Sequence, residues 1–438
     1  MKILFNTYPV AFDKPGGGEV QLLQYQKYIH NKENIDINLF NLWKPDFLNY
    51  DIVHYFSCMG GSVHFLSHVK KLELPLIISP NLWVTEETKH LYPFDEIRND
   101  FILADVIIGN SDTECNLLSD IFTMPRGKFL TIYNGIEESF FEPIDTSLFL
   151  DHFNISEKFI LNVANIEPRK NQLSLIKAMK NFPELKLVML GYIRDQQYLE
   201  ECLNEGGNQI IYLGSLPHDS LLLKSAYAAC ELFALPSTVE TPGLAALEAA
   251  AMGAKILVTL EGCTQEYFGN YVTYVDPNSE EDIKEGISKS LNKQCSKELY
   301  KHMKENFLWS NVVKKLSNTY EKLNNLNRLK RSGKGFKEIE GDGQGNFFMW
   351  SDFKPEFEWD NGVLSFLWRS VNPTTLDILV DDEIIESQKE VYQEWTRYSI
   401  CLQNPSDTKN KVTFNIKDTS DDLNLGIALR DVKFELQN

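Results

Sequence analysis

Nothing in the 438-residue sequence resembles a membrane span: no apolar run reaches the roughly 18–20 residues that a crossing helix needs. Cysteine is sparse and scattered. The seven cysteines form no C-x-x-C pair, which argues against a zinc site and a disulfide framework and for free thiols in a reducing compartment. Basic charge is also short: 43 Lys+Arg stand against 62 Asp+Glu, a formal charge of −19. A chain so acidic lacks the basic surface that nucleic acid requires, although a small phosphate-bearing ligand needs only a local positive pocket. Internal repeats and long low-complexity tracts are absent. The apolar start, Met1 to Phe5, is too short for a signal-peptide core, so the expected location is the cytoplasm.

What is present is the composition of a folded soluble protein, with 43% hydrophobic and 24% charged residues. Short runs rich in Val, Ile, Leu and Phe recur at 2–7, 35–40, 51–56, 76–80, 105–110 and 129–134. A second set follows at 159–165, 186–191, 209–214, 232–237, 255–260 and 272–276. Such continuous apolar runs are the mark of strands buried on both faces of a parallel sheet, and helical patterns lie between them. The expected fold class is therefore α/β, with one doubly wound unit over 1–150 and another over 151–310. A long helix with a basic end is expected over 311–332. From 333 to 438 the helical pattern gives way to short alternating segments, which predicts an all-β sandwich of antiparallel strands. That tail holds four of the seven Trp, and over residues 331–438 the 12 Lys+Arg against 20 Asp+Glu give a net −8.

The densest chemical signal is Ser237-Thr238-Val239-Glu240-Thr241-Pro242-Gly243-Leu244, running on to Glu248 and Gly253. It follows the apolar run at 232–237. Pro242 and Gly243 suit a tight turn into a helix start, where free N–H groups and the helix dipole attract phosphate. Glu240 falls in a loop at the carboxyl end of a strand, where open α/β sheets bind ligands. Glu248 lies inside the helix among alanines at 245, 246 and 249–251, and a carboxylate in so apolar a segment needs a partner. The plain alternative is a Lys partner for Glu248 and an Ala run that is simply tightly packed. Gly16, Gly17 and Gly18 follow the first run, so that backbone there can approach a ligand closely.

With Glu240 and Glu248 eight positions apart, the segment resembles the E-x7-E pattern of retaining nucleotide-sugar glycosyltransferases of the GT-B fold, glycosyltransferase family 4 in particular. Leu235-Pro236-Ser237 and Glu248-Ala249-Ala250-Ala251-Met252-Gly253 flank it in the family manner. Gly16–Val20, the segments 104–111 and 134–136, and Glu167-Pro168-Arg169-Lys170-Asn171 resemble further family landmarks in the right order, over roughly 1–328. The resemblance implies two Rossmann-like domains facing a cleft, the first for the acceptor and the second for the donor. It implies that Arg169 and Lys170 hold the donor diphosphate and that Glu240 meets the donor sugar. By the same resemblance Glu248 binds the ribose, Gly243 and Leu244 offer N–H groups to the pyrophosphate, and the stretch Leu213–Leu216, with Leu213 and Gly214 at its start, lies near the base. Gly17, Gly18, Ser237, Thr241 and Pro242 complete the donor set. Asn165 belongs to it as well, but the family carries a basic residue at that place, so Arg169 is expected to take over part of its work.

No D-x-D occurs, which fits a site where Lys, Arg and helix dipoles replace a metal ion, and no cofactor is expected beyond the nucleotide-sugar. The family's His in the fourth-strand loop is missing; the loop reads Ser79-Pro80-Asn81-Leu82-Trp83. Asn81, Trp83 and Glu86 are the acceptor candidates, and His54 reads as a packed strand-end residue. The expected activity is metal-independent retaining transfer to a hydroxyl of a glycan or lipid-linked glycan, in bacterial surface polysaccharide (capsule, O-antigen or lipopolysaccharide) synthesis. A GT-B sugar-nucleotide isomerase or hydrolase, or a non-catalytic glycan-binding scaffold, are the other classes. Arg328, Lys330, Arg331 and Lys334 cluster at the end of the long helix; they fit either a solvated helix terminus or contact with anionic headgroups at the inner face of the membrane. The tail Trp residues read as core, with an exposed Trp or Phe (Phe347, Phe348) as a platform for sugar the competing view.

Overall fold

The computed structural model describes residues 1–30, 34–404, 409–417 and 425–435. Its first sheet comprises β1 (Lys2–Thr7), β2 (Asp36–Leu39), β3 (Ile52–Phe56), β4 (Leu76–Ile78), β5 (Val106–Gly109) and β6 (Phe129–Thr131), all parallel in the order β2-β1-β3-β4-β5-β6. The second comprises β7 (Phe159–Val163), β8 (Lys186–Leu190), β9 (Ile210–Tyr212), β10 (Leu232–Leu235), β11 (Ile256–Thr259) and β12 (Thr273–Val275), in the order β12-β11-β10-β7-β8-β9. Each strand sits within one of the apolar runs. Helices cover both faces, so β3, β4 and β10 are buried along their whole length. The two halves are the Rossmann-like domains of a GT-B fold. In an open parallel sheet the ligand crevice lies where the strand order reverses. That point falls between β1 and β3 in the first sheet and between β7 and β10 in the second. The loops that leave those strands are the glycine loop at 16–18, the Asn165–Lys170 segment and the Ser237–Gly243 segment.

A 23-residue helix, Trp309–Arg331, returns from the second half to the first. Its start is pinned to the crossover: the Ile136 N–H donates to the Phe307 carbonyl at 2.6 Å and the Trp309 N–H donates to the Ile136 carbonyl at 3.1 Å. Trp309 is buried edge-on against Tyr25, with ring centroids 5.6 Å apart. Gly135 gives it room, since a Cβ there would lie 2.6 Å from the indole. Leu316, Tyr320, Leu323 and Leu326 recur at helical spacing and enter one continuous core with Ile3, Phe5 and Ile52 of the first sheet and with Met349, Phe357 and Trp368 of the tail.

The tail begins after a single residue, Ser332. Its strands are β13 (Gly333–Gly341), β14 (Phe347–Trp359), β15 (Gly362–Ser370), β16 (Thr374–Val380), β17 (Glu383–Val391), β18 (Thr396–Leu402), β19 (Asn410–Ile416) and β20 (Ile427–Glu435). They form an antiparallel sheet in the order β17-β16-β19-β14-β20-β15-β18, with β13 also on β14. The long β14 pairs through Phe348–Trp350 with β20 and through Glu356–Trp359 with β19. The sheet therefore folds over at β14 and nearly closes on its own core, which is how the expected sandwich is realised. Alternate residues of β15 point into that core, Leu364, Phe366 and Trp368 among them. Trp350, Trp359 and Trp368 are buried, while Trp395 and Phe348 are half-buried on the outer face beside Arg369 and Arg430.

Three cations of the basic cluster pair with tail carboxylates: Lys330 with Glu338 at 2.7 Å, Lys334 with Glu356 at 2.6 Å and Arg328 with Asp360 at 3.9 Å. Arg331 is exposed. Among the described residues no helix is long and apolar enough to cross a membrane. Because Trp309 locks the returning helix to the first half, Trp309→Ala is expected to lower stability by about 3–5 kcal/mol. Urea denaturation followed by far-UV circular dichroism checks this, the loss appearing in the transition that melts the first half and the tail.

Candidate active site

The two switch points face each other across a cleft of about 590 Å³. Gly16, Gly17 and Gly18 line one wall. Asn165, Arg169, Lys170, Glu240, Thr241, Gly243, Leu244 and Glu248 line the other. Gly16 is the N-cap of the helix Gly17–Ile29, and its N–H donates to Glu19 Oε2 at 2.7 Å, which fixes the glycine loop.

Lys170 closes a single helical turn, Pro168–Lys170, after β7, and Glu240 follows β10. Lys170 Nζ donates to Glu240 Oε1 at 2.5 Å, and both groups are largely removed from water, with the carboxylate side chain 4% exposed and the ammonium side chain 13%. Burial alone would raise the Glu240 carboxyl, but Lys170 and then Arg169 outweigh it and hold it below the ordinary carboxylate range. Burial pulls the Lys170 ammonium below its usual value, and Glu240 is the main group keeping it charged. Arg169 is half exposed, 3.1 Å from Glu167 and 3.3 Å from the Val239 carbonyl.

Immediately beyond Glu240 the helix Leu244–Ala251 begins, with Gly243 at its N-cap in the left-handed region at φ +83°. A Cβ at Gly243 would lie 3.0 Å from the Leu235 side chain and 3.2 Å from Glu240 Oε2, so only glycine lets the helix start this close to the carboxylate. The first-turn N–H groups of a helix have no intrahelical acceptor. Here Gly243, Leu244 and Ala245 line the cleft beside the Lys170–Glu240 pair, a positive end suited to an anion.

Glu248, one turn into the helix, has partners that the sequence did not reveal. His218 Nε2 is 2.6 Å from its Oε1, and the Tyr227 hydroxyl donates to its Oε2 at 2.9 Å. His218 Nδ1 lies 3.7 Å from Glu137, which in turn holds Lys27 at 2.7 Å and Gln24 at 2.5 Å on the first helix. The chain Lys27–Glu137–His218–Glu248–Tyr227 thus spans both halves. Chiefly because of the Glu248 charge, the imidazole is raised to about 9 from its ordinary 6.5. The lone carboxylate in an Ala-rich helix signalled that a partner must exist; its position 30 residues earlier, in a different loop, has no local signature.

Among the acceptor candidates, Asn81 and Trp83 line the cleft. The Asn81 amide donates to Gln21 at 3.1 Å and accepts from Asn110 at 3.0 Å, beside Gly18. Trp83 is partly buried against the core of the second half. Glu86 is not brought in: its side chain is 68% exposed and pairs with Lys89 at 2.6 Å. Of the stretch Leu213–Leu216, Ser215 and Leu216 line the cleft, while Leu213 and Gly214 sit just behind it, since Leu213 packs against the core and the Gly214 carbonyl accepts from Gly191. Ser237 and Pro242 are buried under the Glu240 loop rather than facing the cleft. His54 is fully buried between the Tyr320 hydroxyl at 2.7 Å and Ser79 at 2.9 Å, and burial lowers it to about 3, as befits a packing residue. Arg194, after β8, also enters the cleft, and the sequence reading passed it over.

The charged His218 bridge carries a pH signature. A group whose folded pKa is raised from 6.5 to about 9 contributes stability fully below 6.5 and loses it as pH rises through about 9. The melting temperature of His218→Gln is therefore expected to fall furthest below wild type near pH 6, with the gap closing above pH ~9. Thermal unfolding across that range checks it; a gap independent of pH contradicts an imidazolium facing Glu248, Glu137, Lys27 and Tyr227.

Comparison with known proteins agrees with this geometry. Residues 151–307 match the family model described as Glycosyl transferases group 1. An uncharacterized glycosyltransferase of Methanocaldococcus jannaschii is 29% identical over 303 residues, 62% of this chain and 75% of the relative. The serotype-specific mannosyltransferase WbdA of Escherichia coli is 29% identical over 233 residues, which are 49% of this chain and 28% of the longer relative. Anabaena HepE, solved in complex with UDP and glucose, superposes with a TM-score of 0.63 at 18% identity, over 73% of this chain and 99% of that one. Residues 151–307 thus correspond to a glycosyl transferases group 1 domain, which forms the second half of a GT-B fold, and the chain is similar to glycosyltransferases over about half to three-fifths of its length.

Proposed function

We propose that the protein is a retaining, metal-independent glycosyltransferase that moves a sugar from a nucleotide-sugar to a hydroxyl of a glycan acceptor in bacterial surface polysaccharide synthesis. The observation that carries the reading is the buried Lys170–Glu240 pair at 2.5 Å, set against the start of the Leu244–Ala251 helix and facing the glycine loop. An ammonium and a helix N-terminus side by side suit a diphosphate, and a carboxylate held ionised next to them suits sugar hydroxyls. Relatives of E. coli named serotype-specific mannosyltransferase WbdA and O-antigen chain mannosyltransferase B support the polysaccharide setting. In this reading Glu248, held by His218 and Tyr227, accepts hydrogen bonds from the ribose.

In this reading the acceptor hydroxyl attacks the anomeric carbon on the face from which the diphosphate departs. The bond from that carbon to the phosphate oxygen breaks, a bond to the acceptor oxygen forms, and the acceptor proton passes to the departing phosphate. Lys170, Arg169 and the helix N-terminus offset the charge that grows on the leaving group. Glu240 orients the sugar and need not act as a nucleophile.

A screen of UDP-, GDP- and ADP-hexoses, mannosyl donors included, tests the activity. With the active donor, Lys170→Ala and Glu240→Ala are each expected to lower kcat by ~10²–10³-fold. Transfer unchanged in both variants contradicts the site. NMR of the product is expected to show the anomeric configuration of the donor preserved, and EDTA is expected to leave the rate unchanged; inversion or loss of activity with EDTA contradicts the mechanism.

A further inference from the structure

Of the cations that line the cleft, Arg194 has no assigned part, and its surroundings are unusual. Its backbone rides on the segment after β7: the Ile166 N–H donates to the Tyr192 carbonyl at 2.8 Å, and the Arg194 N–H donates back to the Ile166 carbonyl at 3.2 Å. This pairing carries the guanidinium onto Asn165. With the Asn165 amide turned so that its oxygen faces the guanidinium, it accepts from Arg194 Nε at 3.0 Å and from Nη2 at 3.2 Å. Nη2 also donates across the cleft to the Lys14 carbonyl at 3.0 Å, and Nη1 lies 3.5 Å from Glu167. A Cβ on Gly16 would stand only 3.2 Å from Nη2, so the guanidinium rests against the bare backbone of the glycine loop. It is one-third exposed, toward the cleft.

The charge balance makes this position matter. Lys170 is committed to Glu240 at 2.5 Å, and Arg169 is turned to Glu167 and the Val239 carbonyl. Asn165 brings no charge. A diphosphate carries at least two negative charges and presents pairs of oxygens that match the two parallel N–H bonds of a planar guanidinium, a fork that an ammonium does not offer. We infer that Arg194 is a diphosphate-binding cation of this cleft, oriented by Asn165 and joining the donor's phosphates to the glycine loop of the opposite half. This rests on the reading of the cleft as a nucleotide-sugar site. It also accounts for a neutral residue after β7: the positive charge arrives from β8 instead.

Calorimetric titration of the full-length protein with UDP, GDP and ADP, and with the nucleoside and nucleoside monophosphate of whichever base binds, provides the test. Arg194→Ala is expected to weaken the diphosphate by ~10–100-fold, the range for charge-assisted hydrogen bonds, while the nucleoside binds as before. Arg194→Lys, which keeps the charge without the fork, is expected to fall between the two, and thermal unfolding of both variants verifies that they are folded. Equal loss for nucleoside and diphosphate overturns the inference, because it marks a residue that only shapes the cleft. Undiminished diphosphate binding in Arg194→Ala, with Lys170→Ala weakened, overturns it alone and leaves the proposed function standing. No nucleotide binding by the wild type overturns both.

Discussion

The ion pair between Lys170 and Glu240 is the constraint around which the rest of the cleft is arranged. Burying two opposite charges costs several kcal/mol of hydration per ion, and their attraction offsets that only with close geometry and further polar partners. Here the geometry is set by two loops that leave adjacent parallel strands, β7 and β10, at the point where the strand order reverses. Gly243 lets the next helix begin against the carboxylate, bringing a positive helix end beside the ammonium. The pair is thus a charged device held ready in a water-poor place, where electrostatic effects are strong. A stability role alone does not call for it, since well-packed apolar residues would serve as well or better.

A second polar chain links that device to the opposite half. Glu248 is held by Tyr227 and His218, and His218 is shared with Glu137 and Lys27 of the first half. Nearby, Glu266 accepts from the N–H groups of Asp112 and Thr113 at 2.8 and 2.6 Å, a carboxylate on a helix N-terminus, and the Tyr267 hydroxyl donates to the Asn110 carbonyl at 2.6 Å. The tail joins the opposite side of this arrangement. The returning helix shares its apolar face with the first sheet and the β strands, so the tail and the first half form one body through a common core. The basic helix end, which the sequence left open between a solvated terminus and contact with anionic headgroups, mostly faces carboxylates of the tail.

The sheets were legible because strands buried on both faces must be apolar along their length; each of the twelve runs contains one strand. The two carboxylates and the helix-starting glycine were legible because they fall within nine residues of one another, while Lys170, 70 residues earlier, was legible only through the family resemblance of its own segment. Other features were not. β17 lies at the edge of its sheet with most residues exposed, and β14 contains Asp352, Lys354 and Pro355, so neither shows a clean alternation. His218 and Arg194 reach the cleft from loops after β9 and β8, and nothing local marks them; only the packing of parallel strands side by side brings them to Glu248 and Asn165. Glu86 looked suitable by type, but its neighbour Lys89 takes it into solvent.

The most direct test of the account is a crystal structure with the nucleoside diphosphate that binds best. The account predicts the terminal phosphate between Lys170, Arg194 and the first-turn N–H groups at Leu244, the ribose hydroxyls on Glu248, and Glu240 free to face the sugar site. A diphosphate bound elsewhere, or one seated in the cleft with Lys170 still turned away to Glu240 and no contact to the helix start, would contradict it.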